Sequence, residues 1–237
     1  MGRNSFFAFK QFRVDQADCA MRVTTDACIF GAWAPVYQAR KILDIGTGSG
    51  LLALMAAQRS RALVDSVESD PASFRTAQAN FISSPWSDRL RIFHTRVQDV
   101  FTEPAGYDLI LCNPPFFEGG TQSPQQVRAR SRHTDSLPHT ELVDAVDRLM
   151  GADGKACILL PETVAPAFAR SARSRNLHEA RLLYLSSTHG RPPHRRATVF
   201  SRTPPGRLLE ESLYIHSVPP DYTPETVRLL KPYYLYL

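Results

Sequence analysis

From Lys41 onward, short runs of apolar and β-branched residues alternate with longer stretches whose apolar positions recur at helical spacing. The short runs predict strands at Lys41–Ile45, Leu63–Glu68, Leu90–His94, Tyr107–Cys112 and Lys155–Leu160. The stretches between them predict helices at Leu51–Arg59, Pro71–Ile82 and Thr140–Met150. In the last of these, Leu142, Val143, Val146 and Leu149 form one apolar stripe able to cover a sheet face, and Gly151 and Gly154 stop the helix. Such alternation is the mark of βαβ units wound about a parallel sheet.

Beyond residue 160 the rhythm changes. Ala180–Ser187, Ala197–Arg202 and Ser212–Ser217 read as strands separated by Arg191-Pro192-Pro193 and Thr203-Pro204-Pro205-Gly206, with no room for a crossover helix. Strands joined so closely run antiparallel. The expected fold is therefore α/β and Rossmann-like: a mostly parallel seven-stranded sheet that ends in an antiparallel hairpin, with helices on both faces. A chain of 237 residues with no internal repeat and no linker predicts a single domain over 1–237, comprising a cap segment (1–40), a ligand-binding core (41–160) and a sheet extension with a basic region (161–237).

Composition narrows the class. With 43% hydrophobic and 22% charged residues the chain can bury a core, so disorder is excluded. No apolar run reaches the ~18 residues of a membrane span, and the start of the chain has no long apolar segment of the signal-peptide kind; a soluble cytoplasmic protein is expected. Cys19, Cys28, Cys112 and Cys157 are scattered, which predicts reduced thiols, and no histidine pair stands at ligand spacing, so no metal is expected.

The net charge of +5 is lopsided. Residues 1–120 hold 12 basic and 12 acidic side chains, whereas 121–237 hold 16 and 11. The excess gathers at Arg128/Arg130/Arg132, Arg170/Arg173/Arg175 and Arg191/Arg195/Arg196, as a polyanionic partner such as RNA would require and as a solvated surface also allows. In the cap segment, Phe6, Phe7, Phe9 and Phe12 interleave with Lys10 and Arg13, a combination that serves nucleic acid or packs onto the sheet edge. Thr25-Asp26 before Ala27–Trp33 reads as a helix start with Asp26 as its cap.

Two segments carry chemistry. The first, Asp44-Ile45-Gly46-Thr47-Gly48-Ser49-Gly50, lies between the first parallel strand and its helix, at the carboxyl edge where open α/β sheets bind ligands. The glycines let the backbone turn and approach a ligand. Asp44 puts an acid where a pyrophosphate would otherwise bind the helix N-terminus, which suits a ligand carrying an ammonium group and disfavours a nicotinamide dinucleotide. Glu68, at the end of the second strand, is placed to accept from two ribose hydroxyls. Asp99, after the third strand, can accept from an adenine amino group or cap a helix.

The second segment is Asn113-Pro114-Pro115-Phe116, at the tip of the fourth parallel strand. Two prolines remove two N–H donors and leave carbonyl acceptors without local competition. The Asn113 side-chain oxygen and the Pro114 carbonyl can both accept from one –NH2 group, turning its lone pair toward an electrophilic methyl and stabilising the positive charge that develops on nitrogen. Phe116 offers a flat ring for a planar acceptor. A stiff surface turn followed by buried aromatics is the alternative.

Gly46-Thr47-Gly48-Ser49-Gly50, Glu68 and Asn113-Pro114-Pro115-Phe116, in that order, resemble the class I S-adenosylmethionine-dependent methyltransferases of the amino-methylating type. The likeness extends to Phe9–Phe12, Thr25–Ala34, Ser84-Pro85-Trp86, Asn113–Gly119, Ala129-Arg130 with His133, and Tyr233–Tyr236. Over that span the chain is similar to the bacterial tRNA adenine-N6 methyltransferases that modify the adenine beside the anticodon of a valine tRNA. It departs from their usual pattern at Phe116, where they carry Tyr, and at Ala27-Cys28. The resemblance implies methyl transfer from S-adenosylmethionine to N6 of a tRNA adenine, giving S-adenosylhomocysteine. Asp26, Asp44, Gly46, Thr47, Gly48, Gly50, Glu68, Asp99 and Asn113 would then hold the cofactor, Asn113, Pro114, Pro115 and Phe116 the acceptor, and Lys10, Arg130, Arg191, Arg195 and Arg196 the RNA. Methylation of a ribosomal-RNA amino group, or of a glutamine side chain in a release factor, uses the same acceptor chemistry. Glutamine methylation normally accompanies a separate helical domain, for which about 40 residues before the first strand leave little room.

Overall fold

The computed structural model describes residues 5–19, 21–101, 106–114 and 138–237. Strands β1 (Phe6–Ala8) and β2 (Arg13–Asp15) form a hairpin, followed by α1 (Thr25–Trp33), β3 (Lys41–Ile45), α2 (Leu51–Arg59), β4 (Leu63–Glu68), α3 (Pro71–Ile82) and β5 (Leu90–His94). A 3₁₀ turn at Val97–Asp99 leads to β6 (Tyr107–Cys112). Then come α4 (His139–Leu149), β7 (Met150–Pro161), α5 (Ala165–Arg173), β8 (His178–Thr188), β9 (Arg195–Ser201), β10 (Leu209–Val218), β11 (Asp221–Tyr222) and α6 (Pro224–Leu230). Four of the five predicted parallel strands and the helices at Leu51–Arg59 and Pro71–Ile82 have the expected bounds. The central strands β3 and β6 are apolar runs buried on both faces, as a covered parallel sheet demands, whereas β5 at the sheet edge stays largely exposed.

Among the described residues the large sheet has nine strands in the order β11-β10-β8-β9-β7-β6-β3-β4-β5. Strands β5, β4, β3, β6 and β7 are mutually parallel, and β9 is antiparallel to both β7 and β8. The sheet thus has nine strands where seven were expected; the strand read at Ser212–Ser217 is β10, and β11 was not anticipated. The expected hairpin of consecutive strands holds for β8 and β9 only, because β10 pairs in parallel with β8. Its direction follows from the short connection, but its neighbour does not. One edge of β9 is already hydrogen-bonded to β7 and the other to β8, so the next strand can dock only on the free edge of β8.

Glycine behaves differently from expectation between α4 and β7. The helix ends at Leu149 and the chain enters β7 at once, with Gly151 and Gly154 inside the strand. The register jumps from Tyr107↔Met150 to Leu109↔Lys155, and a Cβ on Gly154 would lie 2.5 Å from the Tyr107 carbonyl oxygen, so only glycine admits that approach. Helix α5 was not anticipated; it buries Phe168 and Ala172 on the sheet.

Successive residues of β3 feed two cores, as the pleat requires. Ile42 packs with Ile29, Phe30 and Leu54 from α1 and α2, while Leu43 and Ile45 pack with Leu142, Val146 and Phe168 from α4 and α5. The N-terminal phenylalanines close one end of the first core. Phe9 stacks on Phe12 at 4.4 Å, and Trp86 meets Phe12 edge-on. Packing, one of the two roles open to this segment, is what Phe9 and Phe12 perform.

Candidate active site

β3 lies between β4 and β6, where the strand order reverses, and open α/β sheets bind their ligands outside the carboxyl ends of the strands at such a point. The register pairs Ile45 with Val67 on one side and Cys112 on the other, so the glycine loop, Glu68 and Asn113 leave the sheet side by side.

The loop backbone is left-handed at Gly46 (φ +65°), Gly48 (φ +58°) and Gly50 (φ +85°), which glycine alone adopts without strain. At Gly46 and Gly48 an added Cβ would meet nothing within 4 Å, so their outer side opens onto free space. Gly50 faces the other way, and a Cβ there would lie 2.5 Å from the Phe81 ring of α3. The loop is anchored by Gly46 and Thr47, whose N–H groups donate to the Val67 carbonyl, and by Asn80, whose Nδ2 donates to the Ser49 carbonyl at 2.8 Å. Asn80 also exchanges hydrogen bonds with the Asp15 backbone and so ties β2 to the loop. Nothing in the spacing of α3 signalled this role.

Asp44 is wholly buried. Its Oδ2 accepts from the Thr47 hydroxyl at 2.5 Å, while Oδ1 has no hydrogen-bond partner. Burial pushes its carboxyl up to about 7; the Thr47 hydroxyl and the Ala53 amide oppose the rise, and the Glu68 charge adds to it. Glu68 is half-buried and accepts the Gly48 amide on Oε2 and the Asp70 amide on Oε1, both at 2.9 Å. A carboxylate has about four acceptor sites, so each oxygen keeps one for a hydroxyl.

Asp99 is exposed as the last residue of the 3₁₀ turn after β5, with Arg96 as the residue preceding that turn, so it caps no helix start. Asn113 is half-buried and Pro114 buried at the end of β6. Pro115, Phe116 and Arg130 lie outside the described residues.

The N-cap of α1 is Thr24, whose hydroxyl accepts the Ala27 amide, and not Asp26. Asp26 in the first turn instead meets His194 Nε2 at 3.2 Å from either oxygen, with Arg195 Nε at 3.9 Å. Of the residues expected to contact RNA, Arg191 is exposed and Arg195 partly so. Lys10 and Arg196 are engaged internally. Lys10 Nζ donates to the carbonyls of Lys231 (2.6 Å) and Leu237 (2.9 Å), and the Arg196 side chain is only 9% exposed between Glu162 (3.3 Å) and Glu179 (3.8 Å). A charge run in sequence says nothing about which way β9 turns each side chain; Arg196 falls on a covered face.

Three of the four cysteines are buried and all four are free thiols, with burial pushing Cys28 up to about 12. Among the described residues no group of His, Cys, Asp and Glu is gathered as a metal site, and no helix is long and apolar enough to cross a membrane.

Residues 27–132 match the family model described as the methyltransferase small domain. Solved structures with a similar fold include a predicted O-methyltransferase from Agrobacterium tumefaciens (TM-score 0.70, 14% identity, 87% of this chain and 96% of that one). A ribosomal protein L11 methylase from Lactobacillus delbrueckii is another (TM-score 0.55, 17% identity, 80% and 84%). At such identities the likeness concerns the fold, and it agrees with a Rossmann-like methyltransferase architecture. The tRNA1(Val) (adenine(37)-N6)-methyltransferase of Shewanella woodyi is 39% identical over 97% of this chain and 98% of its own length. Its counterpart from Serratia proteamaculans is 38% identical over 99% and 91%. With that identity along nearly the whole length, the chain is a methyltransferase and belongs to the tRNA1(Val) (adenine(37)-N6)-methyltransferase family.

Proposed function

We propose that the protein transfers a methyl group from S-adenosylmethionine to N6 of adenine 37 in a valine tRNA, the substrate named for its relatives. One observation carries the reading: the Ile45↔Cys112 register sets a tip rich in carbonyl acceptors, Asn113-Pro114, beside an open glycine loop. The residues fit the donor. Gly46 and Gly48 leave room against their backbone, Glu68 keeps acceptor sites for ribose hydroxyls, and the unpartnered Asp44 Oδ1 calls for a cation or donor that an amino-acid ammonium supplies. Asp99, exposed after β5, is the candidate acceptor for an adenine amino group. When bound, the donor supplies an electrophilic methyl carbon on a sulfonium.

The protein's own part is to hold the acceptor. Asn113 Oδ1 and the Pro114 carbonyl accept from the two hydrogens of the adenine amino group, and Phe116 stacks on the ring. The oriented oxygens stabilise the cationic nitrogen as it forms, which lets its proton pass to water without a strong base. Arg191 and Arg195 contact phosphates, with Arg130 as a further candidate, in a cytoplasmic enzyme that needs no metal. Lys10 and Arg196 have no such part. The test is incubation with labelled cofactor and, separately, total tRNA, ribosomal RNA and release factor, followed by digestion. Label in N6-methyladenosine from tRNA supports the reading. Label in rRNA or N5-methylglutamine would replace it.

A further inference from the structure

The sheet extension carries aromatic groups that the reading above leaves unused. β6 and β8 point the same way, since each is reached through β7 and β9 with two reversals, so the end of β8 lies on the same edge as Asn113. There the exposed ring of His189 lies flat on the half-buried ring of Tyr214, with centroids 3.8 Å apart and an interplanar angle of 26°. Two residues further along β10, His216 sits opposite Thr188 and stacks on Tyr222 at 5.1 Å and 19°. Exposed Arg191 and partly exposed Arg195 flank the same turn. The acidic groups at this turn are themselves paired or set apart: Asp26 is committed to His194 and Arg195, Glu162 to Arg196, and Asp221 lies on β11.

Flat rings backed by a second ring, with arginines beside them, are the combination that holds single-stranded nucleic acid: bases stack while the cations meet phosphates. From β6 to β8 is three strand steps of about 4.8 Å, or about 14 Å, which is about four stacked nucleotides. We infer that the His189/Tyr214 pair, continued by His216, is a base-stacking platform for the RNA, engaging a nucleotide about four positions from the one methylated. This rests on the tRNA reading and adds the surface that recognises the strand around the acceptor.

The test uses His189→Ala, Tyr214→Ala and His189→Phe, checked for wild-type melting, with binding of a valine tRNA transcript, steady-state kinetics and calorimetric binding of S-adenosylmethionine. Loss of one stacked base should raise Kd and KM for the transcript about 5- to 100-fold in both alanine variants. kcat and cofactor affinity should stay within twofold, and His189→Phe should restore binding. Wild-type RNA affinity in His189→Ala, with the wild type active on tRNA, overturns the platform and leaves the methylation reading standing. A rise in KM that phenylalanine fails to rescue also overturns stacking. If the wild type itself neither binds nor methylates tRNA, both readings fall.

Discussion

Replacing Asp44 by Asn isolates the buried acid under the glycine loop. The carboxyl is wholly buried, and the fold raises it from an ordinary 3.8 to about 7. Between those two values the unfolded chain has released the proton and the folded chain still holds it. The folded state therefore binds more protons, and stability falls as pH rises through this window. At about 1.36 kcal/mol per tenfold change in proton affinity, the interval amounts to about 4 kcal/mol at most, complete by about pH 8. The Asn side chain carries no such load. Urea unfolding of the cofactor-free protein at intervals from pH 4.5 to 8.5 should show wild-type stability dropping relative to Asp44→Asn by about 2–4 kcal/mol across the range. The slope difference is the readout, because other carboxylates contribute equally to both proteins. Saturating cofactor should reduce that difference, since a cation beside the carboxylate draws its pKa back down. Parallel profiles for the two proteins without cofactor would refute the reasoning.

Three further outcomes follow from the geometry. Glu68→Gln removes a charged acceptor that holds two backbone amides and is assigned to the ribose hydroxyls, so cofactor Kd should rise about 10- to 100-fold by calorimetry. Gly50→Ala places a Cβ 2.5 Å from Phe81 at φ +85° and should cost about 2–3 kcal/mol of stability in urea, an amount that a neutral result would contradict. Arg196→Ala strands Glu162 and Glu179 near one another; allowing for their partial exposure, a loss of about 2–3 kcal/mol is expected, while tRNA affinity of the folded variant should not change. A large loss of tRNA affinity there would return Arg196 to the RNA-binding set.

The core was legible in the sequence because β3, β4, β5 and β6 are apolar runs of strand length set between helices, so local pattern and tertiary environment agree. The extension was less so. Short proline-rich connections indicate that successive strands reverse, but whether β10 docks on β9 or β8 depends on which edge remains free, a property of the assembled sheet. Helix α5 is hard to read because it is a single short amphipathic stretch with a proline in its first turn. In the site, glycine spacing, Asp44, Glu68 and Asn113 stand out, since their chemistry depends on residue type and on position at a strand end. Lys10 and Arg196 could not be sorted by sequence. An arginine that binds phosphate and one that is buried between two partly exposed glutamates look alike until the fold says which side of the strand is covered. Asn80 was likewise invisible, because its role rests on meeting the loop and β2 across more than 30 and 60 residues of chain.

The most direct measurement compares two valine tRNA transcripts that differ in one group, carrying adenine or hypoxanthine at position 37, in single-turnover methyl transfer with labelled S-adenosylmethionine. Both should bind with similar affinity. Label should enter the adenine transcript as N6-methyladenosine and be absent from the hypoxanthine transcript, which lacks the amino group that Asn113 and Pro114 are assigned to hold. Equal labelling of the two would contradict the account at its centre.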